Sequence, residues 1–154
     1  MKTHLDLTLE TEVDAPRAQV WAFISDPERL PEWFSEFEST EQASPGEPGL
    51  GSVVRYTITA GGRSGTFEIV EWEPGSRLSW DGPPLAWMGG AARPRGTFQL
   101  ADVGEDRTHF TGRFRPELSG TQVLLRPYLK RWLRRERTAS LRRLKELVEG
   151  APSA

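Results

Sequence analysis

The 154-residue chain has no cysteine, only two histidines and only two methionines. Lack of cysteine excludes a disulfide framework, a thiol nucleophile, an iron–sulfur cluster and any cysteine-ligated zinc site. Long apolar runs are missing as well. The longest stretch free of charge, Gly82–Ala92, is 11 residues and holds two prolines, whereas a membrane-spanning helix needs about 20 apolar residues. The N-terminus meets Asp6 before any apolar run develops, so it does not read as a signal peptide. There is no Gly-x-Ser-x-Gly nucleophile elbow. The glycines at 46–51 and 61–65 lack the strand-to-helix context of a dinucleotide or phosphate loop. His4 and His109 fall on the polar side of strand-like segments with no Asp or Glu at ligand spacing. Two solvent-facing histidines are therefore expected, with no metal and no cofactor. What remains is a cytoplasmic protein of one domain, residues 1–150, with a disordered tail at 151–154.

Charge is scarce in net terms, −2, but unevenly spread. Residues 1–48 carry three basic and eleven acidic side chains, and residues 116–154 carry nine and four. Such polarity is not that of an all-over basic nucleic-acid binder. The run Arg126, Lys130, Arg131, Arg134, Arg135, Arg137, Arg142, Arg143 and Lys145 reads first as a solvated helix face offsetting the acidic third, with a homodimer as one route to that offset. Contact with an anionic membrane or with nucleic acid is the weaker reading.

Hydrophobic periodicity gives the elements. Thr3–Val13 alternates as one half-buried strand. Asp14-Ala15-Pro16 and Asp26-Pro27 each supply a capping acid and a proline, predicting two short helices, the second ending near Trp33-Phe34. Six strands follow at hairpin spacing: Phe37–Gln42, Ser52–Ala60, Ser64–Glu73, Arg77–Trp80, Arg95–Ala101 and Thr108–Arg115. Val53-Val54 and Ile69-Val70 break strict alternation and predict a bulge, which leaves open whether Arg55 or Tyr56, and Glu68 or Glu71, points inward. From about Gly120 to Glu149 the period turns helical, with Pro127 kinking the helix or marking its true start. The expected class is α+β: a seven-stranded curved antiparallel sheet around one long C-terminal helix. One helix cannot fill the concavity of such a sheet, so a cavity between them is expected.

Three segments carry a family resemblance. Residues 13–33, opening Val13-Asp14-Ala15-Pro16 and closing Leu30-Pro31-Glu32-Trp33, resemble the start of the START-like, or SRPBCC, superfamily. Glu71–Trp80 resembles its central hairpin, and Gly104–Thr111 the segment before its last strand. The resemblance spans about residues 5–149. It implies the helix-grip fold and a small hydrophobic partner such as a lipid or polyketide. It leaves several roles open: carrier or sensor, polyketide cyclase/dehydratase using general acid/base groups, or cochaperone-like interaction module. No catalytic motif is visible.

The candidate ligand-binding residues are Trp33, Tyr56, Phe67, Trp80, Met88, Phe98, Phe110, Trp132 and Glu136. The aromatics supply apolar area, and Tyr and Trp also need a partner for their polar atoms when buried. Met88 belongs to an unusually apolar connection, Gly82–Pro94, read either as a lid or as a loop folded onto the core. Glu136 falls on the inner stripe of the long helix. It either faces the cavity as an anchor or acid/base group, or turns outward to pair with neighbouring arginines.

Overall fold

The computed structural model describes residues 1–151; the expected tail beyond Ala151 lies outside them. The elements run β1 (Lys2–His4), β2 (Leu7–Val13), α1 (Arg17–Ile24), a 3₁₀ turn (Pro27–Arg29), α2 (Leu30–Trp33), β3 (Phe37–Gln42), β4 (Val53–Ile58), β5 (Ser64–Glu73) and β6 (Arg77–Asp81). There follow β7 (Leu85–Trp87), β8 (Gly90–Arg93), β9 (Arg95–Gly104), β10 (Arg107–Phe114), β11 (Glu117–Gly120), α3 (Thr121–Leu124) and α4 (Arg126–Gly150). The main sheet has seven antiparallel strands in the order β2-β10-β9-β6-β5-β4-β3. With α4 in its concavity this is the α+β helix-grip fold.

A second, four-stranded sheet has the order β1-β11-β8-β7. It continues the first sheet past a corner, because β1, β11, β8 and β7 extend β2, β10, β9 and β6. The corner has a covalent cause. Pro94 and Pro116 separate β8 from β9 and β11 from β10, and neither can donate to a ladder. Each still accepts: Gly82 N–H donates to Pro94 O at 3.0 Å, and Leu5 N–H to Pro116 O at 3.0 Å. The expected single strand Thr3–Val13 is therefore two strands, breaking at Leu5-Asp6 where the partner changes from β11 to β10.

The Gly82–Pro94 connection is likewise no loop but the β7–β8 hairpin. Its two-residue turn, Met88-Gly89, has φ of 49° and 78°, the positive values of the turn that matches strand twist. Methionine is a poor signal for that turn, and β11, at four residues, is too short for alternation to show in the sequence.

At the N-terminus, Asp26 caps the 3₁₀ turn by accepting Glu28 N–H at 3.0 Å. Asp14 does not cap α1; its carboxylate accepts from Arg107 at 3.0 Å, and Pro16 occupies the cap position. The β5 irregularity falls at Val70, between the pairs Ile69↔Trp80 and Glu71↔Ser79. Pro127 stands in the first turn of α4 and marks its start. At 25 residues the helix is about 37 Å long, enough to cross the sheet. Leu133, Leu141, Leu144 and Val148 bury one stripe of it.

Candidate functional site

The sheet and α4 enclose a cavity of about 640 Å³, within the ordinary range for small-molecule sites. Tyr56, Phe67, Trp80 and Phe98 border it from the sheet; Leu129, Trp132, Glu136 and Arg137 border it from α4. Leu85, Trp87 and Ala92 of the β7–β8 hairpin border it as well.

Two glycines make the room. Tyr56 pairs with Gly65 across β4–β5, and Trp80 with Gly96 across β6–β9. A Cβ on Gly65 would stand 2.5 Å from the Tyr56 hydroxyl, and one on Gly96 would collide with the Trp80 ring. Both rings therefore lie down over glycine instead of standing up into the cavity.

The polar groups gather where α4 passes the α2–β3 junction. Arg137 is only 7% exposed. Its two terminal nitrogens donate to the two carboxylate oxygens of Glu36, at 2.5 and 2.6 Å. Its guanidinium lies 4.5 Å from the Phe34 ring centroid and 5.3 Å from that of Phe114. Beside this pair, Ser35 donates its hydroxyl to Glu136 at 2.9 Å. Tyr56, 4% exposed, borders the cavity from the sheet with its hydroxyl over Gly65, and no hydrogen bond reaches that hydroxyl among the described residues. Burial first, and the Glu36 carboxylate second, push the Tyr56 hydroxyl above its ordinary value, so it is held as a neutral donor.

The structure brings Tyr56, Phe67, Trp80, Phe98, Trp132 and Glu136 together around the cavity. Trp33 and Phe110 do not border it. They pack at 6.2 Å in the core behind Phe34 and Phe98. Met88, at the turn of the β7–β8 hairpin, is 65% exposed and points away. Glu136 meets Ser35 instead of an arginine, half-buried at the cavity edge. In β4 Tyr56 is buried and Arg55 exposed; in β5 Glu68 is exposed and Glu71 accepts from Arg77 at 2.8 Å.

Nothing in the sequence singles out Glu36, and the basic run groups Arg137 with the solvated face. The signal was present: Arg137 stands four residues from both Leu133 and Leu141 on the buried stripe. His4 pairs in register with Glu117 and His109 with Glu12, so the two histidines do not meet. Among the described residues no group of three or more His, Asp or Glu could hold a metal ion. Among the described residues no helix is long and apolar enough to cross a membrane.

Residues 4–149 match the family model described as polyketide cyclase / dehydrase and lipid transport. No curated protein matches. Among solved structures, the chain is similar to the di-domain aromatase/cyclase BexL of the BE-7585A biosynthetic pathway, at 18% identity and TM-score 0.71 over 94% of this chain. It spans 46% of that longer protein. It is similar to a START superfamily protein from Mycobacterium smegmatis, at 18% identity and TM-score 0.70, covering 96% of this chain and 98% of the other. Norcoclaurine synthase from Thalictrum flavum, solved with dopamine and hydroxybenzaldehyde, matches at 16% identity and TM-score 0.69, covering 99% and 91%.

Proposed function

Because this chain belongs to the polyketide cyclase/dehydrase and lipid transport family, we propose that it binds one small, mostly apolar molecule carrying an oxygen function at one end. The observation that carries this reading is the cavity itself: about 640 Å³, walled by aromatic and aliphatic side chains, with Glu36, Arg137 and Glu136 collected at one pole and the Tyr56 hydroxyl on the sheet wall. Burial of roughly 200 Å² of ligand contributes about 5 kcal/mol before association costs, which suits reversible micromolar carriage or sensing. The free Tyr56 hydroxyl orients the ligand by donating to its oxygen. Native mass spectrometry of protein from its own host tests this. A co-purifying small mass that leaves on mild denaturation supports it, and a chain that is always empty and binds no apolar probe sinks it.

A second reading is favoured by one observation, a buried Tyr56 hydroxyl bordering the cavity within electrostatic reach of Glu36. In a cyclase or dehydratase, Tyr56 would donate a proton to a carbonyl oxygen of a bound poly-ketone-like chain, while a neighbouring carboxylate took one from carbon. Tyr56→Phe separates the readings. It abolishes turnover while sparing most of the affinity in an enzyme, and in a carrier it changes affinity alone.

A further inference from the structure

Around the cavity mouth the surface has an unusual composition. The exposed part of the lining is Thr59 and Ala60 of the β4–β5 turn, Trp87 of the β7–β8 hairpin and Tyr128 of α4. The hairpin is tied to α3: Thr121 donates its hydroxyl to Met88 O, and Gln122 donates to Trp87 O at 3.0 Å. This holds Trp87 and Met88 against the start of α3, and Leu124, Leu125 and Tyr128 follow within seven residues. Met88 is 65%, Leu124 82% and Tyr128 64% exposed. Large apolar side chains this open, gathered in one place, mark a surface that meets something apolar.

The flanks are predominantly basic. Segments 82–101 and 118–135 contain Arg93, Arg95, Arg126, Lys130, Arg131, Arg134 and Arg135, and no Asp or Glu. Among the described residues only Arg93 of these meets a carboxylate, that of Asp81 at 2.7 Å. Along α4, Tyr128, Arg131 and Arg135 follow one another at helical spacing on the exposed side. An apolar tip ringed by unpaired cations fits a surface with acidic headgroups above an apolar interior.

We propose that this rim docks on an anionic lipid bilayer, with Met88, Leu124 and Leu125 inserted and Lys130, Arg131, Arg134 and Arg135 against the headgroups, so that the cavity mouth opens onto the membrane surface. A second copy of the chain fits worse, since a two-fold contact would set these cations against their own copies. Nucleic acid would use the charge but not the aliphatic tip. The inference is independent of which molecule fills the cavity, so its failure leaves the cavity reading standing, and the reverse.

Vesicle flotation tests it, comparing phosphatidylcholine vesicles with vesicles containing phosphatidylglycerol, at low and high salt. The protein is expected to float with the anionic vesicles alone and to be released by salt. Lys130→Gln with Arg131→Gln should weaken partitioning by about fivefold per charge removed. Leu124→Ser with Met88→Ser should weaken it by about tenfold, while Arg142→Gln, on the far half of α4, changes nothing. Leu124→Ser alone, at so exposed a site, keeps the fold and gives the same direction. No flotation, equal flotation with neutral vesicles, or binding of a DNA oligonucleotide in place of vesicles overturns the proposal. So does a dimer in sedimentation that the serine variants dissociate.

Discussion

Arg137 takes a positive charge into a wall of aromatic rings, and Glu36 is what makes that tolerable. Removing one member of a buried pair leaves the other uncompensated, at a cost of about 3–5 kcal/mol, whereas replacing both with apolar groups is often neutral. Glu36→Ala is therefore expected to lower stability by about 3 kcal/mol, read as a fall in the urea midpoint. Glu36→Leu with Arg137→Met should recover most of it; equal losses in both variants would contradict the account. Tyr56 makes a pH prediction. Its folded value is raised, so the neutral form is favoured by folding. The associated stability is whole below the ordinary tyrosine value of about 10 and is lost as pH rises through the folded value. The urea midpoint should decline above pH ~10 more steeply in the parent than in Tyr56→Phe.

At the scale of elements, two strand pairs set the cavity's depth and the β7–β8 hairpin borders its mouth. Gly65→Ala adds a methyl group where the Tyr56 ring lies. The ring must lift into the cavity, so binding of an apolar fluorescent probe should weaken severalfold while the melting temperature moves little. Unchanged probe affinity would mean that the glycine has no part in shaping the site. In the β7–β8 hairpin, Met88 holds φ of 49°, a conformation that asparagine adopts more readily. Met88→Asn is expected to raise the melting temperature, by an amount corresponding to about 0.5–1 kcal/mol.

For the molecule as a whole, a preformed cavity means that ligand and fold are linked. A ligand bound only by the folded chain, at 100 times its dissociation constant, stabilises by about 2.7 kcal/mol. For a domain of this size that is a rise of about 5–10 °C in melting temperature. Thermal scans over a panel of amphipathic aromatic and lipid-like compounds would reveal it, and a flat panel would count against a vacant, bindable interior. The charge distribution also acts at this scale. The acidic N-terminal third and the basic α4 do meet, but sparingly: Glu36 pairs with Arg137, while Arg143 and Lys145 donate to the backbone carbonyls of Glu32 and Glu12. Most cations of α4 are left for solvent or for a partner of opposite sign.

The linear sequence determined the order and type of the long elements, because local rules suffice for them. Alternation marks Ser64–Glu73 as a strand with its bounds correct, Asp26-Pro27 starts its turn, and Pro127 opens the long helix. Only the tertiary structure decided the corner at Pro94 and Pro116, which depends on two prolines falling level on neighbouring strands. It alone turned Arg137 inward, since a charge on a helix looks solvated until the opposing Glu36 is known. It also decided that Trp33 and Phe110 are core while Trp80 and Tyr56 line space. Burial of a ring is written in its own chemistry, but whether it fills a void or borders one depends on the glycine lying across from it.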